Sequence, residues 1–469
     1  METYRNDYIY QMAPDSISHD DRSLTKVQRI VLFLMSTLYF GSSYVYDLPQ
    51  ALQTQLQSPP INLSYVEFNS LYSVYSFPNI LLPLVGGYVI KLIGLRRGVL
   101  LYTFLVLSGQ ALLTVGVLRG SYICMLCGRM LYALGAESLS VAQSMIAMKW
   151  FSSHQLTYVL GWNNSVASLA SNLNILFSPM IYAGSGALWM PCFVGILFGV
   201  FSFVSALGYQ KLDEKHDQPH GEAAPQTEHK VKCSDLKEVS NIFLVLCAYY
   251  AIFYISFDGV TTNINDQIHQ RFGFSNSTSG QLVLIYYLQL VLLPPVVGKI
   301  SDVYGKRVHW LIGSAVISIF AQLLLGFLPD AAENGYSVVL PLLLLGFADN
   351  IFETVTWSCL LLALDPELSG IGFGFATSVM NLFNVFGMLA IGRIQDDTVA
   401  VKYGYFYSQI FLAGVSIVSM MLAYTILRLD QRGNGKLSAP LEENKEENSD
   451  EIDAESKKRI ELQTFIPVT

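Results

Sequence analysis

The sequence predicts an all-α integral membrane protein of twelve transmembrane helices, arranged as two pseudo-symmetric six-helix bundles. Three observations carry that expectation. Apolar residues make up 52% of the 469-residue chain and charged residues only 14%, with a mean hydropathy of +0.41; a soluble domain carries about a quarter charged residues. The apolar residues gather into twelve runs, six on either side of a polar linker, each near the roughly 20 residues that cross a bilayer. Short features also recur between the two halves at a single offset, the mark of an internal repeat.

In chain order, residues 1–27 are polar and read as a cytosolic tail, with no cleavable signal peptide evident before the first apolar run. The six spans of the first bundle, within 28–209, are Gln28–Tyr46, Phe68–Ile90, Val99–Leu118, Tyr122–Met148, Leu156–Tyr182 and Leu188–Tyr209. A charged linker without apolar periodicity follows, 210–240. The second bundle, 241–428, has spans at Ile242–Thr262, Gln281–Ile300, Val308–Leu328, Tyr336–Leu362, Gly372–Ile394 and Tyr405–Leu427. Residues 429–469 form an acidic tail, which accounts for much of the net charge of −8 and reads as solvated and disordered.

Orientation follows from the basic residues of the loops. One side holds Arg96, Arg97, Lys149, Lys299, Lys306, Arg307 and the linker lysines; the other holds only Arg119, Arg271, Arg393 and Lys402. The richer side is expected to be cytosolic, with both termini. The sequons at Asn62 and Asn276 then fall on the opposite side, where glycosylation can occur. The six cysteines show no extracellular disulfide pattern and no metal-ligand spacing.

The repeat has an offset of 211. It sets Gly87, Gly94 and Arg96 against Gly298, Gly305 and Arg307, and Asp47 against Asp258; one residue more sets Glu137 against Asp349. Two equivalent halves of this kind place binding sites at their interface near the bilayer midplane. Gly298, Asp302, Gly305, Lys306 and Arg307 follow the pattern G-x-x-x-D-x-x-G-x-R/K, glycines allowing a tight reversal and cations holding it at the cytosolic face. This resembles the loop signature of the major facilitator superfamily. The first copy departs from it, since Lys91 stands where the pattern has Asp, so any latch in that half must use other residues.

Charges inside spans point to function, because each costs at least ~2.5 kcal/mol at the bilayer centre. Within CGRMLYALGAESLSVAQSMIAMKWF, Arg129 and Glu137 lie eight residues apart on one helical face. Two readings stand: a pair that staples helices together, or a Glu137 that faces a substrate path. Asp349 and Glu353 are one turn apart; in a dry cavity they would not both ionise easily, which reads as a proton or cation site. The alternative is that a span boundary is misplaced and one of them is solvated. Asn164, Ser168 and Asn172 form a polar stripe on the fifth span that either lines a cavity or bonds a neighbouring helix. Trp357 with Tyr249, Tyr250 and Tyr254 suggests an aromatic wall, although aromatic residues at helical spacing more often pack. Asp47 and Arg129 are expected to meet as a partly buried outer-gate pair, with Asp258, Asp302 and Arg307 as further gating residues.

GSSYVYDLPQALQTQLQ (41–57), YSFPNILLPLVGGYVI (75–90), GRMLYALGAESLSVAQSMIAMKWF (128–151) and RFGFS (271–275) resemble the family of major facilitator superfamily domain-containing protein 1. The resemblance implies a dipeptide uniporter of the lysosome or another endomembrane, with the plasma membrane as the alternative, working by alternating access with a glycosylated single-span accessory subunit. It implies Glu137 as the group for a substrate amino end, helped by Asp349 at the pseudo-symmetric position and Glu353 one turn away. It also implies an Arg where this chain has Ser168, so that the cavity should be more acidic than its relatives' and favour cationic dipeptides. The acidic dileucine sorting signal is incomplete, since Thr25 follows Leu24. No phosphate-binding loop, metal-ligand set or nucleophile with a base is present, so the expectation is no enzyme, no cofactor, no metal and no nucleic-acid partner; the partners are a small solute and the bilayer. Proton-coupled transport of cationic amino acids or sugars, and a non-transporting nutrient receptor, are the alternatives.

Overall fold

The computed structural model describes residues 24–151, 153–216, 240–330, 337–364, 369–433, 435 and 437–439. Most of the two tails and of the linker expected to be disordered lies outside them, as does the Lys91 side chain. Among the described residues the secondary structure is helical, with no strand. The first half comprises α1 (Lys26–Tyr46), the one-turn helices α2 (Leu48–Ala51) and α3 (Gln53–Leu56), α4 (Tyr65–Ser76), α5 (Leu82–Ile93), α6 (Leu95–Arg119), α7 (Tyr122–Trp150), α8 (Ser153–Ser185) and α9 (Trp189–His216). The second comprises α10 (Asn241–Phe272), α11 (Asn276–Leu292), α12 (Pro294–Tyr304), α13 (Arg307–Phe327), α14 (Val339–Leu362), α15 (Ser369–Asp397) and α16 (Tyr405–Arg432).

Eight of these helices are long and apolar enough to cross a membrane, and a ninth span is made by α11 and α12, bent by 44° at their junction. Pro294 and Pro295 open α12, and a proline has no N–H with which to continue the preceding helix. The same device breaks the matching place of the first half, where Pro78 and Pro83 divide α4 from α5. Adding α1, α7 and the α4–α5 pair gives twelve rods, six per half. Rings such as Phe33, Phe104, Phe320 and Phe386 stand more than half exposed on the outside, as expected of surfaces that face lipid.

Within each half the same neighbours pack: α6 against α7 and α9, and α13 against α14 and α16. The halves meet along α4 with α15 and along α8 with α11, again a symmetric pair. The predicted glycine reversals are present. Gly94 and Gly305 have φ of +84° and +60°, where a side chain would strain the turn.

Helix α9 runs to His216, so the sequence-based boundary of the linker at residue 210 falls inside it. The extra turns carry Asp213, 1% exposed, whose carboxylate accepts from Arg96, from Lys149 Nζ at 2.8 Å and from Trp150 Nε1 at 2.9 Å. The Tyr209 hydroxyl donates to it as well, at 3.4 Å, and hydropathy ended the span too early because a buried carboxylate with four donors looks like solvent-exposed sequence. Asp213 thus anchors the loop that lacks its usual Asp. Asp213→Ala is expected to lower stability by about 2–3 kcal/mol, the loss of charge-assisted bonds at a buried acceptor, read as a fall in the melting temperature of the purified protein.

In the second half, Arg307 is fully buried and pairs with Asp302 at 3.1 Å. Its Nη1 also donates to the Ala439 carbonyl at 2.8 Å, and the Lys306 N–H donates to the Ser438 carbonyl at 2.7 Å. Among the described residues, these bonds tie the loop to the segment after α16. Residues 437–439 are packed in place, with Leu437 2% exposed. They correct the expectation of a disordered tail beginning at residue 429.

Candidate transport site

Two adjoining cavities lie between the halves. The first, of about 190 Å³, is walled by Tyr39, Tyr46, Tyr75, Tyr132 and Tyr254, with Glu137, Ser42 and Ser171. The second, of about 200 Å³, carries Asp47, Asp258 and Glu353, with Ser168, Asn172, Phe257 and Tyr287. Tyr46, Ser171 and Tyr254 line both, so the two form one elongated site. Helices α1, α4, α7 and α8 build one wall, and α10, α11, α14 and α15 the other.

Glu137 reaches the first cavity from the middle of α7 and makes no ion pair among the described residues. The reading of Arg129 and Glu137 as a helix staple does not hold: the two are not bonded. Arg129 is equally unpaired with Asp47, which corrects the expected gate pair. The guanidinium, 1% exposed, sits 5.0–5.7 Å from the rings of Tyr46, Tyr72, Tyr75 and Tyr132. It donates to the carbonyls of Tyr46 at 3.2 Å, Leu71 at 3.4 Å and Val45 at 3.5 Å. The cause is Pro49, just beyond Asp47: it has no N–H for the Val45 carbonyl, so α1 breaks there. Arg129 covers the exposed carbonyls while the ring faces hold its charge.

Asp47 accepts from Gln50 Nε2 at 3.1 Å, and that amide also donates to the Tyr287 hydroxyl of the other half at 2.8 Å. Its repeat partner Asp258 accepts from Asn384 Nδ2 at 2.8 Å, which in turn donates to Ser76 Oγ across the interface at 3.2 Å. The sequence symmetry of these two carboxylates is therefore a structural one. Each lies beside an amide that bridges the halves.

Of the other expected site residues, Ser168, Asn172 and Glu353 line the second cavity. Asp349 does not. It is buried within the second half and accepts from the Tyr286 hydroxyl at 2.7 Å, so a phenol on α11 takes up the carboxylate that was expected beside Glu137. Tyr250 is buried against Phe352 and Trp357, with centroids 5.8 and 5.2 Å away, and Trp357 against Phe373 at 5.3 Å; both pack and line neither cavity. Asn164 is exposed on α8 and also lies outside both. Its neighbour Asn163 is buried and accepts from Ser36 Oγ at 2.7 Å. Of the rings suggested as an aromatic wall, Tyr254 does line both cavities; Tyr39, Tyr46, Tyr75 and Tyr132 were missed, since in sequence they look like ordinary membrane aromatics.

The sequence profile of the Major Facilitator Superfamily matches residues 30–264 and 246–459. The chain belongs to that superfamily. It is a membrane transporter and not an enzyme, and its substrate is a small molecule. Among characterised proteins, it is 26% identical over 426 residues to the human protein named "Lysosomal dipeptide transporter MFSD1", covering 87% of this chain and 88% of that one. The zebrafish (Danio rerio) protein of the same name is 27% identical over 424 residues, with the same coverage. Among solved structures, the fold is similar to that of a peptide transporter, POT, in complex with sulfate, with a TM-score of 0.69 at 12% identity, covering 87% of this chain and 96% of that one. It also resembles the nucleoside transporter NupG, with a TM-score of 0.66 at 12% identity and coverage of 86% and 99%. These likenesses show the superfamily fold.

Proposed function

We infer that this chain is a uniporter of dipeptides, favouring those with an added positive charge, in a lysosomal or related endomembrane. One observation carries the substrate preference. The site between the halves holds Glu137, Asp47, Asp258 and Glu353, and no Lys or Arg is among its described lining residues. Glu137 suits the amino end of a peptide, with the tyrosine hydroxyls and serines around it as further partners. The second cavity suits a cationic side chain, through Asp258, Asp47 and Glu353. The position of Ser168 beside these carboxylates explains why an Arg there would matter. Its charge would cancel one of theirs and favour neutral peptides. The names of the relatives supply the dipeptide class. The face bearing Asn62 is then luminal; Asn62 is exposed there, while Asn276 is half-buried in the first turn of α11, which makes Asn62 the better glycosylation acceptor. An accessory subunit remains part of the proposal through the family resemblance.

Uptake into proteoliposomes without a proton or ion gradient tests this reading. Lysyl-alanine is expected to enter at least about tenfold faster than glutamyl-alanine at subsaturating concentration, since one charge contact at an effective dielectric of about 20 is worth several kcal/mol. Ser168→Arg should move the preference toward alanyl-alanine. Equal rates for the acidic and basic peptides would overturn the charge preference, and uptake that needs an imposed proton gradient would overturn uniport.

A further inference from the structure

The face opposite the basic loops is closed by a polar seam between the halves. Asn69 donates to Gln395 at 3.0 Å and accepts from Asn263 at 3.1 Å, while Gln53 donates to Asn263 Oδ1 at 3.1 Å. Thr54 donates to Asp266, which also accepts from Tyr405. At the rim of this seam lies an arrangement of a different kind.

A helix leaves its first N–H groups without internal partners. In α4 the N-terminal residues Ser64 and Glu67 form a capping box: Ser64 Oγ accepts from the Glu67 N–H at 3.1 Å, and the Glu67 carboxylate accepts from the Ser64 N–H at 2.9 Å. That box leaves the N–H groups of Tyr65 and Val66 unserved. Both donate to one carboxylate, Asp396 on α15 of the other half, at 2.8 and 3.0 Å to its two oxygens. A negative charge at a helix N-terminus is favoured by the aligned peptide dipoles as well.

A second, independent feature serves the same contact. Gly392, one turn before Asp396 on α15, approaches the start of α4 so closely that a Cβ there would lie 2.8 Å from the Tyr65 carbonyl oxygen and 2.8 Å from Val66 Cα. Those are backbone atoms and cannot swing aside. A glycine lets the helices touch, and the carboxylate one turn on completes the cap.

We propose that Asp396 is a helix cap supplied across the interface, and that with Gly392 it latches the outer gate of the transport cycle. When the gate is shut, two otherwise orphaned N–H groups and a carboxylate satisfy one another. When it opens, all three must be hydrated, and the Asp396 charge leaves the helix dipole. The latch sits at the rim, in reach of water, so the exchange requires no dry transfer of charge. Asp397 next in sequence has no part in it: it pairs on the surface with Arg393 at 2.9 Å.

The test reads gate opening and needs no transported solute, so it stands apart from the dipeptide reading. Thr261 lines the second cavity below the seam and is 8% exposed. A Thr261→Cys protein is reconstituted, and a membrane-impermeant maleimide is applied only from the face bearing residues 57–64; the protein without that substitution sets the background. With Asp396→Asn added, labelling is expected to be about tenfold faster, the scale of one charge-assisted hydrogen bond. Gly392→Ala, which keeps the carboxylate but forces the helices apart, should act in the same direction. Asp397→Asn should leave the rate unchanged. The proposal is overturned if neither Asp396→Asn nor Gly392→Ala speeds labelling, or if Asp397→Asn speeds it equally. Should Asp396→Asn fail to fold, the Gly392→Ala rate decides alone.

Discussion

Glu137→Gln is expected to lower transport by at least about a hundredfold while the protein folds and melts as before. The substitution keeps the shape of the side chain and removes only its charge. Among the described residues, Glu137 is the sole carboxylate lining the tyrosine-walled cavity, and it has no partner ion there to orphan. An ammonium about 4 Å away at an effective dielectric of about 20 gains about 4 kcal/mol, enough for a loss of that size. Uptake of a labelled dipeptide and a thermal melt, measured on one preparation, check both halves of the statement. Full uptake by the Glu137→Gln protein would remove Glu137 from the site, and a large fall in melting temperature would show that its role is structural.

Arg129→Ala should be the most damaging single change to stability, by about 3 kcal/mol or more. It would strip the donor from the carbonyls of Tyr46, Leu71 and Val45 and leave four tyrosine rings around a void. The sequence-level expectation of an Asp47–Arg129 pair predicts partial rescue in the double mutant, because removing both members of a buried pair avoids a stranded charge. The structure predicts no rescue. Asp47 is bonded to Gln50 and not to Arg129, so Asp47→Ala, Arg129→Ala should be no more stable than Arg129→Ala alone. Denaturation midpoints of the three proteins in detergent distinguish the outcomes.

These two residues mark how far the sequence could be read. Both stood out because a charge inside an apolar run is costly wherever the chain folds. What they do differed in legibility for a physical reason. Glu137 lines the cavity through its own position on one helix face, which spacing reveals. Arg129 acts through carbonyls of two other helices and through rings from α1, α4 and its own α7, and nothing in a linear pattern announces an orphaned carbonyl. Asp349 shows the same limit from the other side. The repeat placed it opposite Glu137, yet one hydroxyl from Tyr286 was enough to hold it inside the second half.

By itself, the sequence determined the membrane class, the two six-helix halves, the glycine reversals and the equivalence of Asp47 and Asp258 in the repeat. These follow from hydropathy over whole spans, from backbone angles that only certain residues adopt, and from a repeat, all of which are local or periodic properties. Tertiary structure alone decided which carboxylates share the cavity, that the loop at Arg307 grips residues 438 and 439, that Asp213 anchors the other loop, and that Asp396 caps a helix of the opposite half. Each is a contact between groups far apart in the chain. A hydrogen bond about 3 Å long depends on where two helices come to rest against each other, and that is set by the packing of many side chains at once.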